Sequence, residues 1–434
     1  MPGKRLTHRV GYLLVIGIIA KFFIDTSVQI FNPYLVIYAA GLGVGTLTMG
    51  RLVSLRNLSG LIAPLIGSLA DRYGYRRIMR FNLLVTGIGI LLFAVADSLP
   101  ALIIAMVIWG VGQGGFGPNL HSYVSSMLPY SKRSRYLGMV EYSWALAGII
   151  GLFLFGWLIE VYSWRAPLFI LSAGLILSSL IMSTLPKSRK FEKEAPTDGD
   201  PAADQAAGPG RMGLDTAAAR PILQHGSADE KAGSLPDRIR RFFYLGRYQR
   251  SAWSCILISV CNYYAITHVM IIHGGWLEAE YGLNPSQLGT VALILGLVDW
   301  AGSILVSAAG DKIGKKRSVF IGILGMLVFF LVLPFANINV YMAIAGLLLP
   351  RFFFEFATVS NFPLISEQEP SQRGKILAFS VSGGLFGTTI AAVTGPAAYL
   401  KAGVWGLGPA SAAAVVISLV MLLLFVTEEP HLRG

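Results

Sequence analysis

Charge is scarce in this chain. Only 13% of its 434 residues are Asp, Glu, Lys or Arg, about half of the roughly 25% of an ordinary soluble domain. Hydrophobic residues make up 54%. That balance excludes a water-soluble globular protein. Cysteine is rarer still. Cys255 and Cys261 both lie in one apolar run, which argues against a disulfide framework and a thiolate zinc site. No His/Cys/carboxylate cluster has metal-ligand spacing, so neither metal nor cofactor is expected. A Walker loop is also missing. The stretch Gly310 to Lys315 is one residue short before its second glycine and lacks the Ser/Thr, so ATP is not expected as the energy source. Gly110, Gly112 and Gly115 match a dinucleotide spacing, yet no strand precedes them and their surroundings are apolar, so that reading fails. The net charge of +12 does not point to nucleic acid, because the bases sit in short loops between apolar runs.

Those runs are what the sequence has in abundance. A helix needs about 20 residues to cross about 30 Å of hydrocarbon. Twelve stretches qualify. In the first half they are Gly11–Tyr38, Leu47–Ala70, Phe81–Ala96, Pro100–Met127, Leu137–Ile159 and Pro167–Leu185. In the second they are Trp253–Leu277, Ser286–Ala309, Val319–Phe335, Val340–Ile365, Ile376–Leu400 and Leu407–Val426. Backbone polar groups in lipid must be satisfied internally, and runs this long are too apolar for alternating barrel strands, so all are helices. The first carries Lys21 and Asp25 and shows no small-residue cleavage site, so it reads as a retained span.

Orientation follows from the bases. With the N-terminus inside, 29 of the 35 Lys and Arg fall on the inner side, two (Arg165 and Lys401) outside and four within spans. The positive-inside rule then places both termini in the cytoplasm; a bacterial inner membrane is the expected location. Pro186–Arg250 holds 21 of the 58 charges, which divides the chain into helices over 1–185, a cytoplasmic linker over 186–250 and helices over 251–434. Within the linker, Ala195–Pro236 has a flexible composition. Asp237–Arg250 interleaves bases and aromatics, as in a helix lying on an anionic membrane surface or the solvated start of the seventh span.

The two halves repeat. Gly67, Asp71, Arg72, Gly74, Arg76 and Arg77 follow the second span, and Ser307, Asp311, Lys312, Gly314, Lys316 and Arg317 follow the eighth, 240 residues later. Each half has six spans and starts inside, so the repeats run parallel and place a solute site between them near mid-membrane. The G-x3-D-[RK]-x-G-x-[RK]-[RK] loop, in twelve spans split six and six, resembles the major facilitator superfamily. The resemblance covers most of the chain outside the linker and tails. It implies an all-α integral membrane fold of two pseudo-symmetric six-helix bundles. It also implies secondary transport by alternating access, with a cytoplasmic gate at Gly67, Asp71, Arg72, Gly74, Arg76, Arg77, Asp311, Lys312 and Gly314. Asp71 would then meet the start of span 11 near Gly374–Ile376, and Asp311 the start of span 5 near Arg135–Tyr136. From the residues alone, the loop can equally serve as a topology determinant. Two family signatures of drug exporters depart: Gly110 stands where span 4 usually has Arg, and span 5 has no proline.

Charges inside a membrane are costly and face a bundle interior or a wet cavity. They are Lys21, Asp25, Arg51, Arg56, Glu141, Asp299, Arg351 and Glu355, and spans 3, 6, 9 and 12 have none. Those four spans are therefore expected to face lipid, and the rest can line a central cavity; the solute path itself is expected along spans 1, 4, 7 and 10. Lys21, Asp25 and Gln29 share one helical face, and Arg351 and Glu355 repeat the four-residue spacing. Each reads either as a neutral internal pair or as a proton site. Asp299 has no base at helical spacing, so its partner lies on another helix or is a proton. Asp25, Glu355 and Asp299 are the candidates for proton coupling. Lys21, Gln29, Arg56, Gln113, Asn119, Glu141, Asn262, Tyr264, His268 and Arg351 are the candidates for the cavity. His121 reads as a packing histidine. The expected protein is a monomeric carrier of a small organic solute in the lipid bilayer, coupled to H+, with drug or metabolite efflux as the first reading. Proton-linked uptake of an organic anion and a non-transporting sensor are the alternatives.

Overall fold

The computed structural model describes residues 2–127, 130–186, 240, 242–369 and 372–428. At 2–10, 63–65, 68, 71, 130–135, 137, 307–312 and 373–374 the description is of the backbone alone. Helices follow one another without a strand among the described residues. Span 1 is α1 (Pro2–Gln29) with α2 (Phe31–Gly41), and span 2 is α3 (Thr46–Gly60) with α4 (Ala63–Tyr73). Spans 3 and 4 are α5 (Tyr75–Val95) and α6 (Leu99–Met127). Span 5 is α7 (Tyr130–Leu146), a π-helical turn (Ala147–Leu152) and α8 (Phe153–Val161), and span 6 is α9 (Ala166–Ile181). Span 7 is α10 (Gln249–Met270) with α11 (His273–Tyr281). Spans 8 to 12 are α12 (Pro285–Ile313), α13 (Lys315–Ala336), α14 (Val340–Ser366), α15 (Arg373–Ala402) and α16 (Val404–Leu424).

Eleven of these spans are long and apolar enough to cross a membrane as continuous stretches. Span 2 is the twelfth, and it is two short helices that carry Arg51 and Arg56. Its break has a chemical cause. Pro64 has no N–H to offer the Gly60 carbonyl four residues earlier, so the helical hydrogen bond is lost there. Pro33 does the same to Gln29 in span 1, where α1 ends. Span 7 breaks at Ile271–Ile272, so spans 1 and 7 are interrupted at equivalent places in the two halves.

The packing repeats as the sequence does. Span 3 packs on spans 4 and 6, span 2 on span 4, and span 1 on spans 5 and 6. In the second half span 9 packs on 10 and 12, span 8 on 10, and span 7 on 11 and 12. Two six-helix bundles of matching design result. They meet through spans 2 and 11, 5 and 8, and the ends of 1 and 7. The loop glycines Gly74 and Gly314 take the same turn, at φ of 93° and 92°, a region that a side chain disfavours. Spans 3, 6, 9 and 12 turn rows of exposed apolar side chains outward, such as Phe81, Leu177, Val328 and Val420.

Small residues bring the bundles together at the end of the molecule away from the N-terminus. A Cβ on Gly50 would strike the Ala392 carbonyl, one on Gly156 the Pro285 carbonyl, and one on Gly274 the Pro33 carbonyl. At the same end Glu160, near the tip of span 5, accepts from Ser286 N–H (3.1 Å) and Asn284 Nδ2 (3.3 Å) at the start of span 8. A carboxylate at a helix N-terminus meets both the free N–H groups and the positive end of the helix dipole.

The linker differs from expectation where it is described. Asp237–Arg250 is not one surface helix. Helix is present at Arg240 and at Phe242–Phe243, after which Tyr244 to Gly246 are irregular. Leu245 is buried in the core, and Gly246 has a φ of 90°, which helix cannot accommodate. The Ala195–Pro236 tether lies outside the described residues.

Candidate functional site

A cavity of about 620 Å³ lies between the bundles, at the level of the span 1 and span 7 breaks and below, toward the side on which the chain begins. Eight spans touch it, and five of them depart from a path along spans 1, 4, 7 and 10. Span 4 supplies Gln113 alone, while spans 2, 5, 8 and 11 all take part. Span 4 is held back by close packing, because Gly110 and Gly114 lie against the Arg56 and Gly60 carbonyls of span 2.

Two charged groups of residues flank the cavity. In the first bundle, Lys21 Nζ donates to Asp25 Oδ2 (2.9 Å), Glu141 Oε2 (3.2 Å) and Ser143 Oγ (3.2 Å). The Ser143 hydroxyl donates to Asp25 (2.6 Å). Glu141 faces the cavity, and its other oxygen lies 2.6 Å from His121 Nε2. Lys21 and Asp25 are 6% and 5% exposed and sit behind Glu141 rather than on the wall. His121, read from sequence as a packing residue, is therefore part of this chain of polar groups.

In the second bundle, Arg351 does not pair with Glu355 along its own helix. It grips Asp299 of span 8 through Nε–Oδ1 and Nη2–Oδ2, both 2.6 Å. That fork satisfies both carboxylate oxygens at once, which a neighbour four residues away on the same helix would not do as well. Glu355 instead accepts from Ser303 Oγ (2.8 Å) and has no ion pair among the described residues. A further polar link joins spans 7, 10 and 11, where Asn361 Nδ2 donates to Ser259 Oγ (3.1 Å) and Ser259 lies 2.8 Å from Ser380 Oγ.

Of the cavity candidates, Gln29, Arg56, Gln113, Glu141, Asn262 and Arg351 lie on the wall, together with Asp299 and Glu355. Asn119, Tyr264 and His268 do not. Asn119 turns back to the Gly115 carbonyl of its own helix (2.7 Å). His268 faces span 12, with Nδ1 3.3 Å from Ser411 Oγ, and Tyr264 leans on the His268 ring and on Thr394. One residue, about 100° of rotation around the helix, separates them from Tyr263 and Thr267, which do face the cavity. Arg51 is exposed and lines nothing. The sequence reading passed over span 11, whose Ser380, Gly384 and Thr388 line the wall at four-residue spacing; that stripe of small residues was the available signal.

At the gate loops the side chains of Asp71, Asp311 and Lys312, and of Arg135 in the segment expected to meet Asp311, lie outside the described residues. Arg76 reaches the carbonyls of Ser183 (3.1 Å) and Leu185 (2.5 Å) at the end of span 6. Arg72 and Arg77 are exposed, and Arg72 lies 5.4 Å from the Tyr73 ring. A Cβ on Gly67 would meet open space.

Comparison with known proteins agrees with this architecture. The family model described as Major Facilitator Superfamily matches residues 17–254 and 252–434. The MFS-type transporter YceJ of Bacillus subtilis is 25% identical over 376 residues, 85% of this chain and 84% of that one. Shorter stretches match the 4-hydroxybenzoate transporter PcaK of Acinetobacter baylyi, 33% identical over 34% of this chain and 33% of that one. The multidrug resistance protein MdtG of Escherichia fergusonii is 25% identical over 41% of this chain and 45% of its own length. Among solved structures, a D-xylose–proton symporter superposes with a TM-score of 0.72 at 15% identity, over 97% of this chain and 99% of that one.

Proposed function

The chain belongs to the major facilitator superfamily, and from that premise we propose that it carries a small organic solute across the membrane by alternating access linked to proton movement. The observation that carries this reading is the cavity between two matching bundles, packed shut at one end by glycines and extending toward the other. With the chain starting in the cytoplasm, the cavity faces the cytoplasm. Rocking the bundles about it separates the glycine contacts and the Glu160 latch while the opposite ends close. The gate loops at Asp71 and Asp311 are proposed to hold that closed end.

Protons have two kinds of seat. Glu355 is a carboxyl on the cavity wall without an ion pair among the described residues, so protonation removes a charge that the membrane interior disfavours. Asp25 and Glu141 share Lys21. Protonating Glu141 leaves the lysine to Asp25 and would loosen the contact of span 1 with span 5, whereas protonating Asp25 leaves it to Glu141 and keeps that contact. Asp299, gripped by Arg351, is the least suited of the three coupling candidates. For direction, the likeness to MdtG favours efflux. The likeness to PcaK, a 4-hydroxybenzoate transporter, favours an acid as the solute, and so does the charge pattern of the cavity wall.

Glu355→Gln tests the proton assignment. In liposomes the variant is expected to exchange solute across the membrane at the wild-type rate without a pH gradient, yet to lose gradient-driven accumulation. Accumulation equal to wild type would sink Glu355 as the proton site.

A further inference from the structure

Arg56 is a buried cation with no counter-ion among the described residues. It is 2% exposed and borders the cavity. Its guanidinium donates to neutral acceptors, the Ser27 carbonyl (3.1 Å), the Val28 carbonyl (3.4 Å) and Asn57 Oδ1 (3.2 Å), and its Nε has no partner. No carboxylate lies within ion-pair distance of it among the described residues. The other basic groups near the cavity are spoken for, Lys21 by two carboxylates and Arg351 by the Asp299 fork. The Phe31 and Trp109 rings lie 5.0 and 5.2 Å from the guanidinium carbon, an attraction that offsets part of the missing counter-charge. Beside it on the wall is Gln113, whose Oε1 is unpartnered.

We propose that Arg56 is the anion subsite of the cavity and that the solute is an organic carboxylate with a flat ring. A buried, uncompensated cation is costly, and a carboxylate entering from the cavity removes that cost. A ring attached to it would find apolar and aromatic wall at Phe31, Trp144 and Tyr263. This assignment rests on the carrier reading above. It also gives that reading a stoichiometric logic. Among the described residues of the wall, Arg56 and Glu355 are the two charges without an ion pair, of opposite sign and on opposite bundles. One anion and one proton neutralise both.

The test uses purified full-length protein and three probes of one skeleton, 2-naphthoate, 2-naphthylmethylamine and 2-naphthylmethanol, with binding read by calorimetry. The expected result is that the acid binds and the amine and alcohol bind at least tenfold more weakly. Asn57→Asp places a carboxylate beside Arg56 with almost no change of shape. It is expected to weaken acid binding at least tenfold while the melting temperature holds or rises. Arg56→Lys keeps the charge without the fork and is expected to retain the preference for acid at lower affinity. Acid binding that Asn57→Asp leaves unchanged overturns the assignment, because Arg56 is then a structural staple between spans 1 and 2. Failure of the acid to bind also overturns it. In that case binding of the amine or alcohol leaves the carrier reading standing, and binding of none of the three counts against both.

Discussion

Two arginines that border the same cavity have opposite surroundings. Arg351 is closed by Asp299, whereas Arg56 is stacked between rings and bonded to carbonyls. The sequence showed that both lie inside spans, and it showed that Asp299 had to look beyond its own helix. It did not show which partner each would take. Asp299 and Arg351 are 52 residues apart, and only the packing of span 8 on span 10 joins them. The pair predicts a non-additive result. Removing one member of a buried ion pair costs about 3–5 kcal/mol, while removing both together costs far less. Arg351→Met and Asp299→Asn should each lower the melting temperature in detergent. The double variant should recover most of the loss. A double variant as unstable as the sum of the singles would show that the two groups do not act as a pair. The misplacement of Tyr264 and His268 has a similar origin. Span 7 is polar on two faces, and nothing in its residues says which face span 12 covers.

At the scale of elements, hydropathy was enough to find all twelve spans, because a membrane leaves the backbone no other solution. The breaks were less legible. Pro33 and Pro64 stood in the sequence, yet a proline within a span is often tolerated as a kink, and the interruption of span 7 at Ile271–Ile272 has no proline at all. There His273 Nδ1 lies 2.7 Å from the Met270 carbonyl, and Gly274 and Gly275 admit Pro33 and Val36 of span 1. The closed end depends on such close approaches. Gly50→Val should force span 11 away from span 2, because the new side chain meets the Ala392 backbone and Pro396. Spin labels on Thr46→Cys and Ala402→Cys, at the ends of those helices, would report it. A longer-distance population should appear in Gly50→Val, and to a smaller extent in Glu160→Ala. An unchanged distance distribution in both would show that these contacts do not hold the closed end.

For the whole molecule, the repeat was the most informative feature of the sequence. Gly74 and Gly314 occupy the same positive-φ turn 240 residues apart, and the helix pairings of one half recur in the other. Two like bundles around a charged cavity make a device that can expose the same wall to either side of a membrane. Solute-triggered proton flux tests that account most directly. The protein is placed in liposomes with a trapped pH dye, and aromatic acids, amines and sugars are added outside in turn, with Asp25→Asn and Glu355→Gln beside wild type. The account predicts that one class of solute moves protons through wild type, and that both variants lose at least nine-tenths of the flux while still binding that solute. A solute that crosses in wild type with no accompanying proton, at the same rate in all three proteins, would contradict it.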